Sequence, residues 1–475
     1  MSKEEYLSKI EFGIAYIAFG LVLLFQYRST FTEEELTLFV ELMMAYVWTM
    51  GLFIYAKFRF DVHIFEPITI ITVLYEGIFV AKPLIDLRNQ EMTEHGISVL
   101  SGGDKATALF VLGYTVFFVS YYINHRRIVY RGKPVLRTAS GRQEFRKDWL
   151  PLLYAAWAAT YILCLICMLT QGLSLQYIFS FGTDGIRSVD ESSTALLFLS
   201  NFGITLITLW LMILEYSGNK AIKIATTVFC IIYLLMRNAR WLMLVFILAP
   251  ITLQYLKKGR QPRLLWVVLI AIGGLVIFAW MQDNRTALAS GGALQWWGAD
   301  SFTLENLLAP LESDLSTYRT FYAMVERFPS EYSYMLGKTF LYVFVLFIPR
   351  AIWAGKPDNP VRDMIEYSLN KQARESGTAV ANLGEFYANF GVLGIIFFMY
   401  LIGWITSSLK RSVFSSLQVQ NNNNNRYIAY SIIYPLLFQW IARGNFSGNF
   451  YMTIFAMLPF IVMAMMRRLR RREQV

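Results

Sequence analysis

Apolar segments of roughly 20 residues recur along this chain, and roughly 20 residues is the length that an α-helix needs to cross a bilayer. The 475 residues are 56% hydrophobic and only 16% charged. Soluble domains carry about 25% charged residues, so much of this surface must face lipid. The sequence therefore predicts an all-α fold, a polytopic transmembrane helical bundle.

About twelve spans are predicted from these apolar segments. They cover about 10–27, 35–56, 63–86, 105–123, 150–170, 194–215, 220–236, 240–256, 263–281, 387–408, 427–444 and 448–466. This divides the chain into a nine-span bundle (1–281), one large extracytoplasmic loop (282–386), and three spans with a basic cytoplasmic tail (387–475). The apolar run 339–348 within the loop is short for a span, so we expect an interfacial helix there.

Basic residues cluster between the spans, at 126–147, 257–263 and 410–426, and after the last span, at 467–472. An excess of Lys and Arg marks the cytoplasmic loops of membrane proteins. An even number of spans places all four clusters and both termini in the cytoplasm. The clusters account for the net charge of +10 without a nucleic-acid partner, and binding of anionic membrane lipid is a second interpretation of them.

The large loop is not a general basic surface, because its nine basic residues face twelve acidic ones. An anion would therefore be bound by particular side chains. Arg350 and Lys356 are the best candidates, since Arg350 follows the apolar run and Trp353 is an interfacial anchor type. A guanidinium matches phosphate oxygens and an ammonium adds a point charge. The alternative is that both are basic residues extending from an aromatic belt.

Further arginines are predicted at the same rim of the bundle. Arg237 and Arg240 flank the short turn between two spans, Arg443 ends another span, and Arg285 begins the large loop. Arginine is costly near the bilayer centre, so a buried pair would need acidic partners or a ligand. Topology alone is the competing explanation.

A carboxylate is the expected general base. Of the three histidines only His95 is predicted on the outer side, and single histidines of this kind are usually structural. Glu385 is preferred because it sits at the mouth of a span beside Gly384 and aromatic residues, where partial burial can tune a carboxylate for proton transfer. Asp363 is the reserve.

Motifs of several common enzyme classes are not found in the sequence. There is no Walker-type phosphate loop, no H-E-x-x-H and no G-x-S-x-G with partners, which disfavours ATP-driven transport, zinc proteolysis and serine hydrolysis. The three cysteines lie in apolar runs and are expected to be packing residues, and no metal site is predicted.

Two motifs resemble a known family. The sequence P-R-x-x-W-x-x-K-P at 349–357 and the sequence G-E-x-Y-x-N-F-G at 384–391 are similar to the outer-loop signature of the O-antigen polymerase (Wzy) family. The resemblance implies an enzyme that joins oligosaccharide repeat units carried on undecaprenyl pyrophosphate, on the outer face of the bacterial cytoplasmic membrane. It implies a glycosyltransferase without metal or cofactor, with lipid-linked donor and acceptor as partners and a chain-length regulator and flippase as open further partners.

The resemblance also suggests roles for residues. Arg350 and Lys356 fall in the basic motif, Glu385 and Tyr387 in the acidic one, and Arg240 resembles a membrane-edge arginine of the family. We expect Arg240, Arg350 and Arg443 to bind phosphate and Glu385 to act as base. A transporter or flippase of lipid-linked saccharide, or a ligase-like glycosyltransferase, is the alternative. The ligase is disfavoured because the large loop before the tenth span (282–386) has no histidine, whereas ligases carry one there.

Overall fold

The computed structural model describes the parts of the chain that carry most of the predicted spans. The described residues are 3–60, 62–129, 149–170, 201–237, 240–258, 269, 272–280, 312, 314–348, 352–376, 378–417 and 424–473. Arg285, Arg350 and most of the first and second basic clusters lie outside them.

Helices form nearly all of this part of the chain. They are α1 (Lys3–Leu24), α2 (Glu33–Phe60), α3 (Pro67–Glu76), α4 (Lys82–Asn89), α5 (Gly103–Val129), α6 (Leu150–Thr170), α7 (Phe202–Tyr216), α8 (Lys220–Arg237), α9 (Arg240–Lys258), α10 (Thr317–Arg327), α11 (Lys338–Leu341), α12 (Val343–Leu346), α13 (Pro360–Ser368), α14 (Lys371–Ser376), α15 (Asn382–Leu417), α16 (Asn424–Ala442) and α17 (Phe446–Glu473). A π-helix (Gly77–Ala81) joins α3 to α4, and a short 3₁₀ helix (Leu100–Gly102) leads into α5. Strands β1 (Thr93–Glu94) and β2 (Ile97–Ser98) pair antiparallel.

Seven helices in the described part are long and apolar enough to cross a membrane. These are Glu33–Phe60, Pro67–Asn89, Leu100–Asn124, Leu150–Cys167, Arg240–Lys257, Asn382–Val413 and Phe446–Leu469, and two shorter apolar helices cover Glu11–Leu24 and Phe202–Tyr216. The all-α class with apolar spanning helices is thus confirmed. The twelve-span count and the side on which the large loop lies stay predictions.

Two buried clusters of side chains hold the helices together. One joins α2 to α5 with α10, α13 and the first half of α15, and the other joins α6 to α9 with α16 and α17. Helices α5 and α15 pack against each other along their length. A Cβ at Gly403 would lie 2.5 Å from the Phe117 carbonyl oxygen, so glycine permits this approach of two backbones.

The apolar run 339–348 forms two single-turn helices, α11 and α12, instead of one interfacial helix. Leu341, Phe344 and Phe347 project from it and are 60%, 70% and 51% exposed. Neither turn is long enough to cross a bilayer. An apolar, exposed and short segment suits the membrane interface, and that location stays a prediction.

Candidate functional site

A polar cavity of about 270 Å³ lies at the end of the bundle where α8 and α16 end and α9 and α17 begin. We call it the arginine pocket. Its wall contains Asn201, Arg237, Trp241, Leu242, Gln439, Arg443, Asn445, Gly448, Asn449 and Met452. Two guanidinium groups beside amide side chains make a cavity suited to an anion with several oxygen atoms.

Arg240 meets Arg443 at a carboxylate beside this pocket. The Arg443 Nη2 atom lies 2.6 Å from Asp314 Oδ1, and Arg240 Nη2 lies 4.0 Å from the same oxygen. Asp314 stands just before α10, within the segment predicted as the large loop. Two arginines separated by some two hundred residues of sequence therefore share one anionic oxygen, a geometry that a phosphate oxygen could also satisfy.

Side-chain amides fix the turn that carries Arg443. Asn449 Nδ2 donates to the carbonyl oxygens of Arg443 at 2.8 Å and Gln439 at 3.2 Å. Asn445 Oδ1 accepts the Gly448 N–H at 3.3 Å, as an N-capping side chain of α17 does. These bonds satisfy backbone groups at the end of α16 and the start of α17. The turn therefore keeps a defined shape, which fixes the backbone position of Arg443.

Glu385 lies directly beneath this turn, in the first turn of α15. Its Oε2 and Oε1 atoms accept the Phe446 N–H at 3.0 and 3.2 Å, and the Thr339 hydroxyl donates to the same carboxylate. The side chain is 1% exposed. The carboxylate therefore faces the N-terminus of α17, where partial positive charge favours an anion, and is separated from the arginine pocket by the turn itself.

The rest of the motif 384–391 attaches α15 to the segment before α11. Asn389 Oδ1 accepts the Gly337 N–H at 3.0 Å, and its Nδ2 donates to Thr339 Oγ1 at 2.9 Å. Tyr387, predicted to bind substrate, is buried and donates its hydroxyl to the Phe328 carbonyl at 3.0 Å. These side chains hold the polypeptide that surrounds Glu385.

Gly391 allows a sharp kink in α15. Its φ of 62° and ψ of −146° are suited to glycine, and Phe390 before it is also non-helical. A Cβ at Gly391 would lie 2.7 Å from the Tyr334 hydroxyl oxygen. The final glycine of the motif is thus explained by backbone geometry and by a close side-chain neighbour.

Lys356 is buried and its ammonium lies against the backbone. Its Nζ donates to the carbonyl oxygens of Leu346 at 2.8 Å and Ile348 at 2.9 Å, which closes the end of α12. The structure therefore places Lys356 among carbonyl groups and not in the arginine pocket. Arg350 and Arg285, the remaining predicted phosphate ligands, lie outside the described residues.

The reserve base Asp363 lies on α13 in a group of charged side chains. Burial raises the pKa of the Asp363 carboxyl, and Arg374, whose Nη1 lies 3.2 Å away, opposes this change. His95 contacts Thr378, with 3.0 Å between Nε2 and Oγ1, which fits the structural role expected of it. Neither residue lines the arginine pocket.

Sequence reasoning missed the residues that complete the site. Asp314 was one acidic residue among twelve in the large loop, and nothing in its neighbours distinguishes it. Asn445 and Asn449 follow Arg443 in the sequence R-G-N-F-S-G-N, where an asparagine ahead of an apolar run is a helix-start signal. That signal could have marked the start of α17.

The fold and pocket define a helical membrane protein with a cavity lined by two arginines at one end of its bundle. The chain matches the model of the family described as O-antigen polysaccharide polymerase Wzy over residues 13–471, nearly its whole length, and it belongs to this family. Comparison with curated proteins and with solved structures gave no match. The chain is an O-antigen repeat-unit polymerase, a polymerising glycosyltransferase-type enzyme of the inner membrane.

Proposed function

We propose that the arginine pocket binds the diphosphate of an undecaprenyl-linked donor and that the enzyme transfers the growing saccharide to the non-reducing end of a lipid-linked acceptor unit. The observation that carries this proposal is that Arg237 and Arg443 line one cavity while Arg240 joins Arg443 at Asp314. Arg350 and Arg285 are proposed as further diphosphate ligands from the large loop. Lys356 and Tyr387 are proposed as residues that position this loop.

The reaction replaces one bond at the anomeric carbon by another. The bond from that carbon to the diphosphate oxygen breaks, and its electron pair leaves with the diphosphate. The acceptor hydroxyl oxygen forms the new glycosidic bond and its proton passes to a base. Fixed guanidinium groups stabilise the charge that develops on the leaving diphosphate, so no metal ion is required.

Glu385 is the proposed base. Among the ion pairs of the described residues none involves Glu385, so its charge is buried without a cation. A glutamine would accept the same Phe446 N–H at a lower burial cost, so a carboxyl here favours a role for the proton. The acceptor hydroxyl reaches Glu385 only when the 444–446 turn moves aside, and catalytic hydrogen bonds often form only in the complex.

The pocket is tested by Arg443→Ala in purified enzyme supplied with lipid-linked repeat units. We expect chain growth to fall about 100- to 1,000-fold, as loss of one oxyanion-stabilising donor does elsewhere. Arg374→Ala is the matched control, because Arg374 also pairs with carboxylates but lies on α14 outside the pocket. Equal rates of chain growth in the two variants would show that the arginine pocket does not take part in the reaction.

The base is tested by Glu385→Gln, compared with Asp363→Asn. We expect Glu385→Gln to insert and bind donor normally while chain growth falls about 100- to 10,000-fold, the usual contribution of a general base. Asp363→Asn should keep the wild-type ladder of chain lengths. The reverse pattern would assign the base to the reserve, and wild-type ladders from Glu385→Gln would rule Glu385 out.

We also propose that the pocket faces the outer side and that both termini are cytoplasmic. Helix α17 begins at the pocket and ends in the arginine-rich tail, and α8 runs from Lys220 and Lys223 to Arg237 at the pocket. Positive residues favour the cytoplasmic side, which leaves the pocket outside. A fluorescent protein fused to the C-terminus should fluoresce in cells, whereas a periplasmic phosphatase fused there should be inactive.

A further inference from the structure

A second cavity, of about 170 Å³, lies between α6, α7 and α17. We call it the apolar cleft. Its wall includes Ala156 from α6, Leu209 from α7, and Leu458, Val462 and Met463 from α17. Val462 is 45% exposed, so the wall reaches the surface that faces lipid.

The cleft presents hydrocarbon to whatever fills it. The polar side-chain groups of its wall are the Trp149 indole N–H and two threonine hydroxyls. Both hydroxyls already donate to backbone carbonyls, Thr160 to Ala156 at 2.8 Å and Thr205 to Phe455 at 2.7 Å. Apolar cavities of this kind are poor sites for water, which needs several polar partners. An apolar chain is therefore the occupant that the wall favours.

The apolar cleft borders the arginine pocket at the start of α7 and along α17. Asn201 lines the pocket, and Phe202, the next residue, lines the cleft. Met452 lines the pocket and Leu458 the cleft, six residues or about 9 Å further along α17. Between them the Phe202 and Phe455 rings pack edge to face with centroids 4.7 Å apart.

We infer that the apolar cleft binds the prenyl chain of the lipid-linked substrate whose diphosphate occupies the arginine pocket. This inference rests on the proposed function of that pocket. A polyprenyl diphosphate has an anionic group joined directly to a long hydrocarbon chain, and the two cavities offer the matching surfaces in that order. The prenyl chain enters sideways from the bilayer, past Val462. The Phe202–Phe455 pair lies where the diphosphate joins the prenyl chain.

The matched variants are Val462→Trp, in the wall of the cleft, and Ile461→Trp, its neighbour on α17 outside the wall. Both residues are 45% exposed, which matches the two positions in exposure. The assay is binding of undecaprenyl diphosphate and of dimethylallyl diphosphate, which has one isoprene unit, to the full chain in detergent. Val462→Trp should lower the affinity for undecaprenyl diphosphate at least about tenfold and leave the affinity for dimethylallyl diphosphate unchanged. Ile461→Trp should change neither.

Equal affinity of wild type and Val462→Trp for undecaprenyl diphosphate overturns the inference. So does a loss of co-purified phospholipid from Val462→Trp without a change in undecaprenyl diphosphate affinity, because the cleft would then hold ordinary lipid. Should Val462→Trp fail to fold, Ala156→Trp and its exposed neighbour Ala155→Trp repeat the comparison on α6.

Arg443→Ala separates this inference from the function on which it rests. It should weaken both diphosphates, since it acts on the shared anionic group. If Arg443→Ala lowers the affinity for neither diphosphate, while Val462→Trp still lowers the affinity for undecaprenyl diphosphate alone, the apolar cleft binds prenyl chains and the proposal that the arginine pocket binds diphosphate is wrong. If Arg443→Ala acts on both and Val462→Trp on neither, the pocket stands and the cleft fails.

Discussion

Replacing Gly391 by alanine tests whether the kink in α15 holds the site together. Gly391 has φ of 62° and ψ of −146°, a conformation that alanine adopts only with strain. The added Cβ would also lie 2.7 Å from the Tyr334 hydroxyl oxygen and 2.9 Å from its Cζ atom. The substitution therefore combines a backbone penalty with a steric one.

The two penalties can be estimated separately. A strained φ/ψ costs about 1–3 kcal/mol, and forcing one more carbon into a packed site costs about 1–3 kcal/mol. We expect Gly391→Ala to lose about 2–6 kcal/mol of folding free energy, a large part of the usual total of about 5–15 kcal/mol. Tyr334 packs against Tyr387 with ring centroids 6.0 Å apart, so it cannot move without disturbing the motif.

The assay is thermal unfolding in detergent together with the ladder of saccharide chain lengths. Gly391→Ala should lower the apparent melting temperature and shorten the ladder. Adding Tyr334→Ala to Gly391→Ala should relieve the steric penalty and leave the backbone penalty. Gly51→Ala is the control, because no atom outside the neighbouring backbone of α2 lies within 4 Å of its Cβ position. Alanine there should stabilise the protein by about 0.5–1 kcal/mol. A Gly391→Ala enzyme with the wild-type melting temperature would refute this reasoning.

Three further outcomes are expected. Asp314→Ala should lower the KM for lipid-linked donor about two- to fivefold in initial-rate assays, because a partly buried ion pair worth about 1 kcal/mol no longer competes for Arg443; an unchanged or raised KM would contradict this. Lys356→Met should make the backbone near Leu346 and Ile348 more sensitive to limited proteolysis, since two charge-assisted hydrogen bonds are lost. Chain growth should continue unchanged in excess metal chelator, and its loss with recovery on adding a divalent cation would refute metal independence.

The spanning helices were largely predictable because hydropathy reports directly on contact with lipid. The residues at which these helices begin and end were less predictable. The predicted span 387–408 lies within α15, Asn382–Leu417, since the helix continues past the lipid-crossing part at both ends. Glu385 is consequently inside the first turn of a helix and not in a loop before it. Hydropathy marks where lipid is and not where backbone hydrogen bonding stops.

The arginines of the site were predictable for a related reason. A charge at the end of an apolar run stands out, as Arg237 and Arg443 do, because its position is explained only by a partner or by the membrane surface. Asp314 could not be chosen, since its importance comes from two arginines that meet it only in three dimensions. Lys356 was identified as a cation, and its two carbonyl partners depend on how α12 ends.

Glu385 connects two parts of the enzyme that have different tasks. The motif 384–391 joins α15 to the segment around Thr339 through side-chain hydrogen bonds, whereas the pocket is made by the ends of other helices. Within the motif, Glu385 also accepts a hydrogen bond from the turn that carries Arg443, through the Phe446 N–H. Its replacement by alanine would therefore disturb position and proton transfer together. Glutamine keeps the acceptor oxygen and removes only the basic group, which is why that variant isolates the chemistry from the scaffold.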